Sequence, residues 1–140
     1  MKDWVQDIND MHAKFGVHKW MQAEVQSDND WSRLGKFLEF RLKFLQEELD
    51  ETRAAALIDK DPEEIVDGLI DLCVVAIGTL DAFGVDAHKA WDAVHKANMA
   101  KEPGVKESRP NPLGLPDLVK PEGWEGPSHK DNHGTLRNAL

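Results

Sequence analysis

Residues 61–84 read DPEEIVDGLIDLCVVAIGTLDAFG, and their pattern decides the fold class. Asp61 has the chemistry of a helix N-cap, Pro62 suits the first helical position, and Glu64 stands where the acid of a capping box belongs. From Leu69 to Phe83 almost every residue is apolar, which predicts a central helix buried on most sides and ended by Gly84. Asp71 lies in the middle of that run, flanked by Leu69, Ile70, Leu72, Cys73, Val74 and Val75. An unpaired ionised carboxylate among buried groups is too costly to keep, so Asp71 is expected to have a partner.

Outward from this helix the pattern stays helical. Upstream, Leu34, Phe37, Leu38, Leu42, Phe44, Leu45 and Leu49 form a broad apolar stripe, predicting a helix over about 30–57 capped from Ser27, Asp28 or Asn29. Trp4, Ile8, Met11, His12 and Phe15 predict another over about 3–15, with Gly16 as its stop. The pattern weakens over 17–30, which reads as a loop with Trp20 and Met21 docked on the body. Downstream, Asp86 can cap a helix to about Asn98, with Ala87, Ala90, Trp91, Val94 and Met99 as its apolar positions. Residues 102–140 hold six of the seven prolines and little periodicity. The expected architecture is all-α: a four-helix bundle over 1–101, oligomeric, followed by an extended or partly disordered Pro/Gly-rich arm over 102–140.

Composition narrows the chemistry. A 140-residue chain with 41% hydrophobic content can build one core without disulfides, and Cys73 is its only cysteine. The charged start MKDWVQDIND and the lack of about 18 uninterrupted apolar residues predict a protein of the reducing cytoplasm, neither secreted nor membrane-spanning. A formal net charge of -9 opposes binding to a nucleic acid polymer. It would also repel a triphosphate unless bound cations reverse the local field, so phosphate chemistry here should be metal chemistry.

On a helix, Glu47, Glu48 and Glu51 fall within roughly 100° of one face. Asp67 and Asp71 are four apart, about 40° around the axis, and Glu64 lies on the same side one turn earlier. Acidic helix faces are commonly just solvated, but Asp71 needs a counter-charge. Arg41 is a candidate, yet one cation cannot neutralise five or six acids, and bound metal is the simpler solution. Oxygen donors without neighbouring histidine or cysteine select Mg²⁺ or Mn²⁺ over zinc. A di-iron site would need two Glu-x-x-His motifs, and the chain offers a single Asp92-x-x-His95. Glu64 can serve equally as capping acid or ligand. His95, Lys96, Asn98 and Lys101 gather at the end of the last expected helix as a recognition edge, although each has an ordinary helix-terminal role. Trp20, Trp31 and Trp91 could stack on a base, or could simply be core or interface residues.

In order, Glu47-Glu48-Leu49-Asp50-Glu51, Asp67-Gly68-Leu69-Ile70-Asp71 and Val94-His95-Lys96-Ala97-Asn98-Met99-Ala100-Lys101 resemble the MazG-like all-α nucleotide pyrophosphohydrolases. The likeness is closest to the branch related to phosphoribosyl-ATP pyrophosphohydrolase, often phage-encoded, and runs from Phe15-Gly16 to about Lys101. The tail Lys120-Pro121-Glu122-Gly123-Trp124 is also similar to that branch. The resemblance implies cleavage of a nucleoside triphosphate between the α- and β-phosphates with Mg²⁺ or Mn²⁺, in the cytoplasm (the host's, if phage-encoded). Glu48, Glu51 and Asp71 match its metal ligands. Gly68 departs from the family's ExxD pattern, leaving Asp67 with Asp71, or Glu64 with Asp67, as the second-helix pair. Glu47 is the candidate general base; Asn98 would contact sugar or base, Lys101 the phosphates, and His95 and Arg41 complete the substrate set. The resemblance further implies homodimers or homotetramers, and by analogy a purine substrate, dGTP or dATP. Two other classes fit the residues less well: an oligomeric helical scaffold, and a regulator that binds a nucleotide without cleaving it.

Overall fold

The computed structural model describes residues 1–27, 32–113 and 117–140. Among them are α1 (Trp4–Lys14), α2 (Val17–Gln26), α3 (Ser32–Ala54), α4 (Pro62–Ala82) and α5 (Ala87–Met99), with a short antiparallel pair, β1 (Glu102–Gly104) and β2 (Asp117–Val119). The fold is all-α. No single helix is long and apolar enough to cross a membrane.

The chain forms two compact units, residues 1–87 with 133–140, and residues 88–132. In the first, α3 and α4 pack as a pair, with α1 on α4 and α2 against both. The core gathers Met21, Leu34, Ala82 and Phe83, backed by Trp20, Phe37, Leu38, Leu136 and Ala139. Ring centroids of Trp20 and Phe37 lie 5.2 Å apart, and those of Phe37 and Phe83 5.8 Å. Trp20 is thus a core ring; Trp91 is exposed, and Trp31 lies outside the described residues. The last residues return to this unit, where the Thr135 N–H donates to Phe83 O at 2.7 Å and a 3₁₀ turn (Leu136–Ala139) covers α3.

The local signals act as their chemistry requires. Asp61 Oδ1 accepts from the Glu63 and Glu64 N–H groups, opening α4. Gly16, at φ 83°, ends α1 and begins α2, a left-handed conformation that favours glycine. The expected helix over 30–57 is α3 continued by a π-helical turn (Ala55–Asp59); the caps expected at Asp28 and Asn29 lie outside the described residues.

Three expectations need correction. Residues 17–26 are helical, not a loop: Val17, Trp20, Met21 and Val25 make a core-facing stripe interrupted by Glu24, which is buried and paired with Arg33 at 3.3 Å. The segment after residue 102 includes the β1–β2 ladder, with Glu102 opposite Val119. The third concerns α4, which is not buried on most sides. Its buried positions, Gly68, Val75, Gly78 and Ala82, form one narrow seam, whereas Val66, Leu69 and Ile70 are exposed.

Candidate functional site

Glycines set the distance between α3 and α4. A Cβ at Gly68 would collide with Thr52 Oγ1, and one at Gly78 with the Arg41 guanidinium. These contacts fix an antiparallel register with residue 41 beside 78 and residue 52 beside 68. Glu48, one turn before Thr52, therefore comes opposite Asp71, one turn after Gly68. Thr52 Oγ1 donates to Glu48 O at 2.7 Å, which tucks the hydroxyl into the backbone exactly where α4 approaches.

Electrostatics agree with this register. The Glu48 carboxyl is held above its usual pKa, first by desolvation and then by the charges of Asp71, Glu51, Asp67 and Glu47. Asp71, Glu51, Asp67 and Glu47 thus lie near enough to Glu48 to act on its charge, although among the described residues their oxygens do not converge within 4.8 Å as a three-donor group. The register carries Glu64 past the end of α3, level with Ala56. The capping box is not closed either, because the Asp61 N–H that Glu64 would accept donates instead to Ala55 O at 3.0 Å.

Asp71 itself is half-buried: of the apolar residues flanking it, Leu69 and Ile70 are exposed, Leu72, Cys73 and Val74 half-buried and Val75 buried, so it lies at the edge of the apolar seam and not inside it. Nor is Arg41 its counter-charge. Its guanidinium donates to Thr79 Oγ1 at 3.1 Å and Val75 O at 3.2 Å, one to two turns beyond Asp71, where it braces α3 against α4. Burial there lowers its pKa.

The fit to a divalent cation follows from donor chemistry. Clustered carboxylates repel one another when ionised, and a hard dication removes that repulsion while accepting oxygen donors. Of the substrate-facing candidates, His95 and Asn98 are exposed on α5, and Lys101 lies just after it with Nζ 5.4 Å from the Trp124 ring. Trp124 also faces Lys120 at 5.0 Å and donates its indole N–H to Ala97 O at 2.7 Å. These residues belong to the second unit.

A second cluster was missed from the sequence. His12 Nδ1 and His18 Nε2 both approach Asp81 Oδ2, at 2.7 and 2.8 Å, while Asn9 Nδ2 donates to Oδ1 at 2.9 Å. Burial alone would raise the Asp81 pKa, but hydrogen bonds from Asn9, His18 and His12 outweigh it and hold the carboxyl below its usual value. For His12, burial outweighs the attraction of Asp81 and lowers the pKa, with Arg41 and His18 acting in the same direction. The 2.7 Å separation fits His12 donating an Nδ1–H to the Asp81 carboxylate. The signal was available: Asp81 also interrupts an apolar run, and here the demand for a buried partner is met.

Compared with known proteins, the chain matches the family model described as phosphoribosyl-ATP pyrophosphohydrolase over residues 10–98. No curated protein matches it significantly. The matched stretch spans well over half of the 140 residues and includes Glu47, Glu48, Glu51, Asp67 and Asp71. The chain belongs to the phosphoribosyl-ATP pyrophosphohydrolase family.

Proposed function

We propose that the protein hydrolyses a nucleoside triphosphate between the α- and β-phosphates, releasing a monophosphate and pyrophosphate, with Mg²⁺ or Mn²⁺ bound by Glu48, Glu51, Asp67 and Asp71. The observation that carries this reading is the α3–α4 register, which sets Glu48 opposite Asp71, in a family of pyrophosphohydrolases. Glu64 is the weaker ligand because that register carries it past the end of α3. When bound, the ions screen the phosphates and stabilise charge on the departing pyrophosphate. Glu47, exposed beside Glu48, is assigned as the general base that takes the proton of the attacking water. Asn98 is assigned to the sugar or base and Lys101 to the phosphates, with His95 at the same helix end. Arg41 acts by fixing the α3–α4 register.

A purine deoxynucleotide, dGTP or dATP, is the proposed substrate, and a phage origin accords with that choice by resemblance alone. Phosphoribosyl-ATP is the second reading, favoured by the description of the matching family. The test is pyrophosphate release across a panel of ribo- and deoxynucleoside triphosphates and phosphoribosyl-ATP, with Mg²⁺ or Mn²⁺. Metal-dependent release should fall by about 100-fold or more in Asp71→Asn, the scale of removing a group that supports developing charge, with helical circular dichroism unchanged. Full turnover in that variant would overturn the assignment.

A further inference from the structure

We propose that His12 Nδ1, His18 Nε2 and Asp81 Oδ2 form a second metal site, of the nitrogen–oxygen class that takes Zn²⁺, clamping α1 and α2 onto α4. These donor atoms lie within 4.8 Å of one another, the one group of three His, Cys, Asp or Glu donors among the described residues to converge so closely. Asp81 is ten residues beyond Asp71, about 15 Å along the helix axis, so the two sites are distinct.

The site is built rather than accidental. His12 and Asp81 have side chains only 5% and 8% exposed, and Gly78 leaves the space that the His12 ring occupies. The Asn9 amide holds the other Asp81 oxygen, which turns Oδ2 toward both rings, as partners behind metal-binding carboxylates do. His18 is 32% exposed, leaving an open side for water as a fourth ligand. Two imidazoles and one carboxylate suit zinc, whereas magnesium prefers oxygen donors alone.

The present N···O separations of 2.7 and 2.8 Å are hydrogen-bond lengths. A tetrahedral ion with bonds of about 2.0–2.1 Å holds its donors about 3.3 Å apart. Loading thus spreads the donors by about half an ångström, with each imidazole carrying its proton on the other ring nitrogen. His18, in the first turn of α2 and partly exposed, supplies that movement. Arg41 lies close enough to oppose the added charge, so the expected affinity is about 1 µM, weaker than that of closed four-ligand sites.

The test titrates the metal-stripped full chain with Zn²⁺, and with Co²⁺ as a spectroscopic probe, in saturating Mg²⁺ to mask the α3–α4 carboxylates. One equivalent should bind, with the visible absorption of tetrahedral cobalt, and the melting temperature should rise. His18→Ala, whose ring is exposed enough to be dispensable for folding, and His12→Gln should both lose the bound equivalent, while Asp71→Asn keeps it. Retention in the histidine variants would overturn the site by assigning the metal to other surface groups. Absence of binding to the wild-type chain at 100-fold the expected dissociation constant would equally overturn it, leaving the three residues as a hydrogen-bonded brace.

Discussion

Glu48 carries opposite demands from folding and from chemistry. Its carboxyl titrates above its usual range because it is desolvated and faces Asp71, Glu51, Asp67 and Glu47. A carboxyl whose folded pKa exceeds its unfolded value favours the folded state while protonated, and that contribution is lost as pH rises through the folded pKa. At neutral pH without metal, ionised Glu48 therefore opposes folding. Glu48→Gln should melt higher than the wild type in metal-free buffer, by a margin that shrinks on acidification below the carboxylate range or on adding Mg²⁺, while losing about 100-fold or more in activity. Thermal melts with and without metal at two pH values check this, and a lower melting point for the variant in metal-free neutral buffer would refute it. The acidic grouping was legible because three- and four-residue spacing places side chains on one face. What misled was Asp71: its sequence neighbours are apolar, but Leu69 and Ile70 point away from the α3 seam. The same logic fits Asp81, whose partners His12 and His18 are more than sixty residues away and had no local signal.

At the scale of elements, the α3–α4 seam depends on the absence of side chains at two positions of α4. Gly68→Ala gains helix propensity, about 1 kcal/mol, yet drives a methyl into Thr52 Oγ1, and overpacking of this kind costs about 1–3 kcal/mol. The single variant should be destabilised and, by shifting Asp67 and Asp71 relative to Glu48, lose activity. Thr52→Ala removes the obstructing hydroxyl and leaves only its Cβ at 3.1 Å from the added methyl, so Gly68→Ala in that background should cost markedly less; a double-mutant cycle in urea measures the coupling. Equal effects of Gly68→Ala in both backgrounds would show that Thr52 does not set the approach. The helix limits at Gly16, Asp61 and Gly84 were legible because each carries its own cap chemistry. Helix α2 was not, since buried Glu24 broke an otherwise regular apolar stripe and its partner Arg33 lies on another helix. The β1–β2 ladder was equally hidden, because Glu-Pro-Gly has no strand propensity and the pairing is made across residues 104–117.

For the whole molecule, the exposed apolar residues of the central pair point to self-association. Val66, Leu69 and Ile70 are 63%, 52% and 43% exposed, and they lie on the side of α4 away from the seam of Gly68, Val75, Gly78 and Ala82. Phe40, Leu42 and Leu49 add comparable exposure on α3. Exposed apolar side chains gathered on one face of a helix, as Val66, Leu69 and Ile70 are on α4, commonly mark an interface, and a second copy of the chain offers the same face in return. A net charge of -9 on each copy opposes such pairing, and salt screens that repulsion. Association driven by these residues should therefore strengthen, not weaken, as salt rises, which separates it from pairing held by surface ion pairs. Light scattering coupled to gel filtration should give twice the chain mass or more at moderate salt, and Leu69→Asp should give the single-chain mass without loss of helical circular dichroism. A monomeric wild-type chain, or an unchanged oligomer in Leu69→Asp, would exclude the α4 face as the interface.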